Sequence, residues 1–168
     1  MHLIIDGYNL LHVNRSLTCL SATQLRWERD RLIDQLSAYQ KLKSCGMTVV
    51  FDGWQGGWNM ERREKKRETE IIYSKLGEKA DEVIKRLVKE KGSEAIVITS
   101  DQDISRFAER MNVAVIPSEQ FMEKLETSSN RFEESLEEEE EERGINKKGL
   151  SRRLSKREKR ARAALKKL

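Results

Sequence analysis

Four short apolar runs divide the first 126 residues: Leu3-Ile4-Ile5, Met47 to Phe51 (MTVVF), Ala95 to Thr99 (AIVIT) and Val113 to Ile116. A strand wetted on one face alternates apolar with polar residues. These runs do not alternate, so both of their faces must be covered. Glu70 to Tyr73 (EIIY) reads as a further, shorter strand. Helical spacing fills the gaps. Leu25, Trp27, Leu32, Leu36 and Tyr39 approximate one face of a helix over 23–43. Ala80, Val83, Ile84, Leu87 and Val88 recur at three and four residues and predict a helix over 79–91. Ile104, Phe107, Ala108 and Met111 mark another, and Ser118 is placed to cap a last helix holding Phe121, Met122 and Leu125. Strand and helix alternate, which predicts an α/β domain with a doubly wound parallel sheet. In such a sheet the functional crevice lies beyond the carboxyl ends of the strands.

The net charge of +4 is not spread evenly. Residues 1–126 hold 20 basic and 20 acidic side chains, whereas 127–168 hold 13 and 9. In that second part an acidic run, Glu133 to Glu142, precedes a basic segment from Arg143 to Leu168. Charge blocks of this kind repel themselves and solvate well, so they are excluded from a compact core. The sequence therefore predicts a folded domain over 1–126 and a charged acidic-then-basic tail over 127–168, disordered or helical. Cys19 and Cys45 lack CxxC spacing, and His2 and His12 lack partners at ligand spacing, so neither a disulfide framework nor a zinc site is expected. No apolar run approaches the roughly 20 residues that span a bilayer, and no secretory signal is expected. The expected setting is the cytoplasm, with no membrane partner; the sequence leaves the oligomeric state open.

The strand ends carry acids. Asp6 follows the first run directly and Asp52 follows Phe51. Asp101 follows Ile98-Thr99-Ser100, and Asp103 is two residues on. Asp81, beside Glu82, opens the helix after the EIIY strand. All of them fall on one rim of the predicted sheet. Converging carboxylates raise one another's pKa values, and a hard divalent cation with oxygen ligands, Mg²⁺ or Mn²⁺, relieves the repulsion. Each acid taken alone is equally well read as a turn residue or helix cap, Asp81 and Asp103 as first-turn acids favoured by the helix dipole. Asn9 adds an amide able to orient a ligand or water, or simply a polar residue at a helix start. No GxGxxG or GxxxxGK[ST] is present, which argues against a nucleotide cofactor, and no Ser-His-Asp or Cys-His set is apparent.

A second pattern points to nucleic acid. In GWQGGWNMERREKKRE, Trp54 and Trp58 precede Arg62, Arg63, Lys65, Lys66 and Arg67. Aromatic faces stack on unpaired bases and basic side chains track phosphates, so these seven are candidate RNA contacts. The competing reading packs both tryptophans on the core and puts the basic residues on a solvated helix face with Glu61, Glu64 and Glu68. The basic tail from Lys147 suits mRNA or rRNA through counterion release.

The motifs IIDGYNLL (4–11), VVFDG (49–53), GEKADEVI (77–84) and ITSDQDI (98–104) together resemble the YacP-like NYN-domain family of PIN-like ribonucleases. The resemblance samples all of 1–126. It implies a metal-dependent endoribonuclease acting on single-stranded RNA, with Asp6, Asp81 and Asp101 as the acidic metal site and Asn9 as its polar companion. Asp103 joins them as a metal ligand or accessory acid, and Asp52 and Glu82 are further candidates for that site. It also implies action on mRNA in association with the ribosome. Such chemistry hydrolyses the phosphodiester with a metal-activated water, leaving a 5′-phosphate and a 3′-hydroxyl. The alternative is a non-catalytic RNA- or ribosome-binding module whose acids are structural. A metal-dependent phosphatase or phospho-acceptor receiver also places acids at strand ends. Asp6-Gly7-Tyr8-Asn9 lacks the DxD of the former and the paired acids of the latter.

Overall fold

The computed structural model describes residues 1–14, 20–53 and 59–128. Cys19, Trp54, Gly56, Gly57, Trp58 and the charged tail beyond 128 lie outside them. Contacts divide the chain into Met1–Glu133 and Glu134–Leu168, and every described residue belongs to the first unit.

Six strands, β1 (His2–Asp6), β2 (Gly46–Phe51), β3 (Arg62–Lys66), β4 (Thr69–Tyr73), β5 (Ala95–Ile98) and β6 (Ala114–Ile116), form one sheet in the order β3-β4-β2-β1-β5-β6. All neighbours are parallel except β3, which runs antiparallel to β4. The helices are α1 (Gly7–Asn14), α2 (Ala22–Lys43), α3 (Ala80–Lys91), α4 (Gln102–Arg110) and α5 (118–128).

Because successive strand residues point to opposite faces, the apolar runs feed two cores at once. Leu3, Ile5, Val49 and Phe51 pack with Leu10, Leu25, Ile33, Leu36, Phe121 and Leu125 on one face. Ile4, Val50 and Ile72 pack with Val83, Ile84, Leu87, Ile104 and Ala108 on the other. This is the doubly wound sheet that the solid apolar runs require. The chain steps outward from β1 to β2 and β4, then returns to place β5 on the other side of β1. The order therefore reverses at β1, and a crevice opens beyond its carboxyl end.

Four features depart from the sequence reading. The basic run Arg62–Lys66 is an edge strand, not a helix face. It has no apolar residue, so periodicity gives no signal, and its charges suit an edge that must not pair further. Its hairpin turns at Arg67, in the left-handed region at φ 56°. The turn is held by Gln40, whose Nε2 donates to the Cys45 and Glu68 carbonyls at 2.9 and 3.2 Å, and whose Oε1 accepts from Thr69 Oγ1 at 2.6 Å. Trp27 does not join the core. Leu25, Leu32, Ile33 and Leu36 form the buried stripe of α2, and Trp27 projects from its far side, 60% exposed, with the Arg31 guanidinium 5.7 Å over its ring. Met111 lies one residue past the end of α4 and is 41% exposed. The short helix α1 starts directly at Gly7 and had no distinct signal.

The strand ends are close-fitted. A Cβ on Gly7 would lie 2.3 Å from the Phe51 ring, and one on Gly53 would lie 1.8 Å from the Ser74 carbonyl oxygen. The Gly53 obstacle is backbone, which cannot rotate aside. Gly53→Ala is expected to lower unfolding stability by about 1–3 kcal/mol, the usual cost of overpacking. Urea titration checks this; an unchanged midpoint would show that the β2 terminus yields freely.

Candidate active site at the strand ends

Asp6 ends β1 at the reversal point and is only 8% exposed. Two donors reach it. The Asn9 backbone N–H donates to Oδ1 at 3.1 Å, and the Thr99 hydroxyl donates to Oδ2 at 3.3 Å. Thr99 Oγ1 in turn accepts from the Asp101 backbone N–H at 3.1 Å, which ties the β1 and β5 ends together. Burial pushes the Asp6 carboxyl up from 3.8 to about 6, and the negative charges of Asp81 and Asp52 push the same way. The two hydrogen bonds oppose this without overcoming it.

The other rim acids have local duties. Asp52 Oδ1 accepts from the Ala80 N–H at 2.6 Å, at the start of α3. Asp101 caps α4, its Oδ1 accepting from the Asp103 and Ile104 N–H groups at 2.8 and 3.0 Å. Both retain a second carboxylate oxygen. Asp81 lies in the first turn of α3 and is half-buried. Glu82 is exposed and pairs with Lys85 at 3.4 Å. Asp103 is exposed and lines a surface hollow with Lys85, Arg106 and Arg110. The structure thus couples Asp6, Asp52 and Asp81 through their charges, links Asp101 to Asp6 through Thr99, and turns Glu82 and Asp103 toward basic side chains.

Asn9 is held from a direction that the sequence did not reveal. Its Oδ1 accepts from the Ser100 N–H and from the Ser118 hydroxyl, each at 3.0 Å. The side-chain nitrogen is left as a donor. Ser118 N–H donates to Ser100 Oγ at 3.0 Å, and Ser100 Oγ donates to Glu119 Oε2 at 2.6 Å, which holds the Glu119 carboxyl below its usual range. Ser118 was expected to cap the last helix; its hydroxyl is committed to Asn9 instead. Thr99, Ser100, Ser118 and Glu119 were missed as site residues. The strand-end rule applied to β6, with Pro117-Ser118-Glu119 following Ile116, would have found two of them.

The basic candidates on β3 are matched with acids. Arg62 pairs with Glu64 at 2.6 Å, Arg63 with Glu61 and Glu70 at 2.8 and 3.3 Å, Lys65 with Glu68 at 3.1 Å and Lys66 with Asp34 at 2.8 Å. Arg67 stands exposed in the turn. Trp54 and Trp58 lie outside the described residues. On the opposite side of the rim, Tyr8 packs edge-on against Phe51 at 5.3 Å and Phe51 stacks with Tyr73 at 5.8 Å. The Arg29 guanidinium sits 5.9 Å over the Phe51 ring and 5.4 Å over that of Tyr73.

Among the described residues, no three His, Cys, Asp or Glu side chains converge closely enough to hold an ion as they stand. The donor chemistry nonetheless fits a hard cation. A buried carboxylate is kept protonation-prone by burial and by two further carboxylates, all oxygen donors of the kind Mg²⁺ and Mn²⁺ take.

A family model, that of the YacP-like NYN domain, matches residues 3–167. The chain belongs to the YacP-like NYN-domain family. The match runs through the charged tail as well as the sheet. YacP of Bacillus subtilis (strain 168) is 32% identical over 87 residues, 52% of this chain and 51% of YacP, so the likeness spans about half of that relative. The crystal structure of Rae1 (YacP) from Bacillus subtilis aligns with a TM-score of 0.69 at 24% identity, covering 99% of this chain and 91% of that one. A mutant of the same protein gives 0.69 and 24%, covering 86% of each chain. At this identity the two structures establish the fold alone.

The raised Asp6 pKa sets a pH dependence opposite to that of most carboxylates. The folded value exceeds the unfolded one, so the folded state binds more protons between about pH 4 and 6, and stability falls as pH rises through that window. Above it the shift from 3.8 to about 6 corresponds to roughly 3 kcal/mol of destabilisation. In EDTA, Asp6→Asn is expected to exceed wild type in stability by roughly 1–3 kcal/mol at pH 7.5 and to match it near pH 4. Urea unfolding at the two pH values decides it; a variant less stable at both would show Asp6 to be a structural anion.

Proposed function

We propose that the protein is a metal-dependent endoribonuclease that hydrolyses single-stranded RNA, with mRNA as its substrate in association with the ribosome. The supporting observation is Asp6: a buried carboxylate, at the reversal point of a nuclease-family sheet, crowded by Asp81 and Asp52. Buried charge is retained where it has a task, and a carboxylate with no basic partner among the described residues is suited to hold a cation.

Asp6, Asp81 and Asp101 would hold Mg²⁺ or Mn²⁺, with Asp52 in reserve through its second oxygen. The ion supplies Lewis acidity and a nucleophilic water near neutral pH. The chain's own residues do the rest. Thr99 fixes Asp6 and Asp101 in one frame, since its hydroxyl bonds to both. Asn9, its Oδ1 locked by Ser100 and Ser118, presents its side-chain N–H groups to a phosphate oxygen or water. The basic segment beyond Arg143 carries the charge that association with mRNA or rRNA needs. The cytoplasm is where such substrates are met.

A second reading has its own observation. Asp52 and Asp101 each spend an oxygen on a helix start, as structural acids would in a non-catalytic RNA- or ribosome-binding module. The two readings part in one assay: cleavage of an end-labelled mRNA, with and without translating ribosomes, in Mg²⁺, Mn²⁺ or EDTA. Wild type is expected to cut only with metal, leaving 5′-phosphate ends, and Asp6→Asn and Asp101→Asn to lose at least about a hundred-fold in rate. No cutting under any condition, with ribosome or RNA binding intact in all three proteins, would establish the binding module. A 2′,3′-cyclic phosphate product would exclude a metal-activated water.

A further inference from the structure

The carboxylate rim repels the phosphates it is proposed to cut, so the fold must supply positive charge close by. Some of the cations among the described residues are already spent on acids. Those of β3 are paired with acids, and Arg86 of α3 pairs with Glu61 and Glu78. Arg29 differs. Among the described residues it has no acidic partner, yet it is half-buried at the rim, lying over the Phe51 and Tyr73 rings. Phe51 directly precedes Asp52. Tyr8 stands two residues after Asp6 and packs against the same Phe51 ring.

Two polar atoms of this cluster are shut from solvent without a hydrogen-bond partner: Arg29 Nε and the Tyr8 hydroxyl oxygen. Leaving such a donor unpaired is unfavourable. Both groups donate, and one is cationic, so the partner they lack is an acceptor, preferentially an anion. The rings hold the guanidinium by cation–π attraction, and since Nε and the Tyr8 hydroxyl are closed to solvent as they stand, an oxyanion reaches them only with a local rearrangement.

We propose that Arg29 and Tyr8 form a phosphate-binding subsite for single-stranded RNA on the aromatic side of the carboxylate crevice. It engages a backbone phosphate of the strand whose scissile bond lies at Asp6. The subsite rests on the nuclease reading for its substrate, but its contact with RNA requires neither metal nor cleavage. Arg29 acts there as a binding residue, and Tyr8 supplies the second hydrogen bond.

The test is the binding of a short 5′-fluorescein single-stranded RNA to the full chain in EDTA, across a salt series, by fluorescence anisotropy. Arg29→Met keeps most of the packing over the rings and removes the charge. It is expected to weaken binding about tenfold, the scale of one charged hydrogen bond. The slope of log affinity against log salt should shrink by about 0.7, one single-strand phosphate contact. Arg29→Lys, which keeps the charge but not the planar fork, should recover the slope and only part of the affinity. Unchanged affinity and slope in Arg29→Met, with a lowered thermal midpoint, would overturn the proposal and make the guanidinium a strut. If Arg29→Met does not fold, Tyr8→Phe decides: it retains the ring against Phe51, and binding equal to wild type would overturn the subsite, whereas a loss of about threefold or more supports it. Wild-type cleavage in Mg²⁺ or Mn²⁺ is measured alongside. Arg29-dependent binding without any cleavage keeps the subsite and removes the nuclease; cleavage with no dependence on Arg29 does the reverse.

Discussion

Everything at the functional end of this molecule is arranged around a carboxylate that water scarcely reaches. Asp6 is the last residue of the central strand, level with Val50 of β2 and next to the β5 end. A side chain there is enclosed by both neighbouring strands before any loop is considered. The fold offers it two hydrogen bonds and surrounds it with negative charge. An uncompensated buried charge is among the least favourable features a core can hold. Its retention is a cost of folding that the Asn9 and Thr99 hydrogen bonds offset in part and a bound cation would offset further. All three acids accept from helix-start N–H groups, Asp6 at α1, Asp52 at α3 and Asp101 at α4, but Asp6 alone ends the strand at which the order reverses and is buried there.

Much of this was legible in the sequence because burial on both faces leaves a strong signature. A run such as Met47–Phe51 has only one place to go, and the Ala80–Val88 spacing admits one helix face. The acids at strand ends were legible for the same reason: once the strands are located, the residue that follows each is on the rim. What escaped was information that resides in pairing. Arg62–Lys66 is a strand because β4 has a free edge, not because of its residues. Trp27 looked like core because it is aromatic, although its position on α2 faces away from Leu25 and Leu36. Ser118 and Ser100 matter through Asn9, 109 and 91 residues away in the chain. No local pattern encodes such distances.

The rim acids also show why sequence position alone does not assign a ligand. Asp101 was equally well read as a metal ligand and as a cap, and the structure makes it a cap. The two roles are compatible, because a carboxylate has two oxygens and a cap uses one. A capped aspartate loses rotamer freedom, so its remaining oxygen is already oriented. Capping therefore prepares a ligand as readily as it replaces one.

The same logic separates the two sides of the crevice. On the α3–α4 side, acids are fixed by helix starts and by Thr99, so negative charge is concentrated and rigid. On the α1–α2 side, rings from Tyr8, Phe51 and Tyr73 present apolar faces, and burial raises the Tyr73 phenol, with Arg29 pulling it back. In the proposed reading, a phosphodiester strand lying between them would meet an acidic wall and an aromatic wall bearing one guanidinium. The first wall suits a phosphate only when it is loaded with metal; the second suits one without it. A crevice so divided would let binding precede metal-dependent cleavage, with Tyr8 and Asn9, neighbours on α1, joining the two walls.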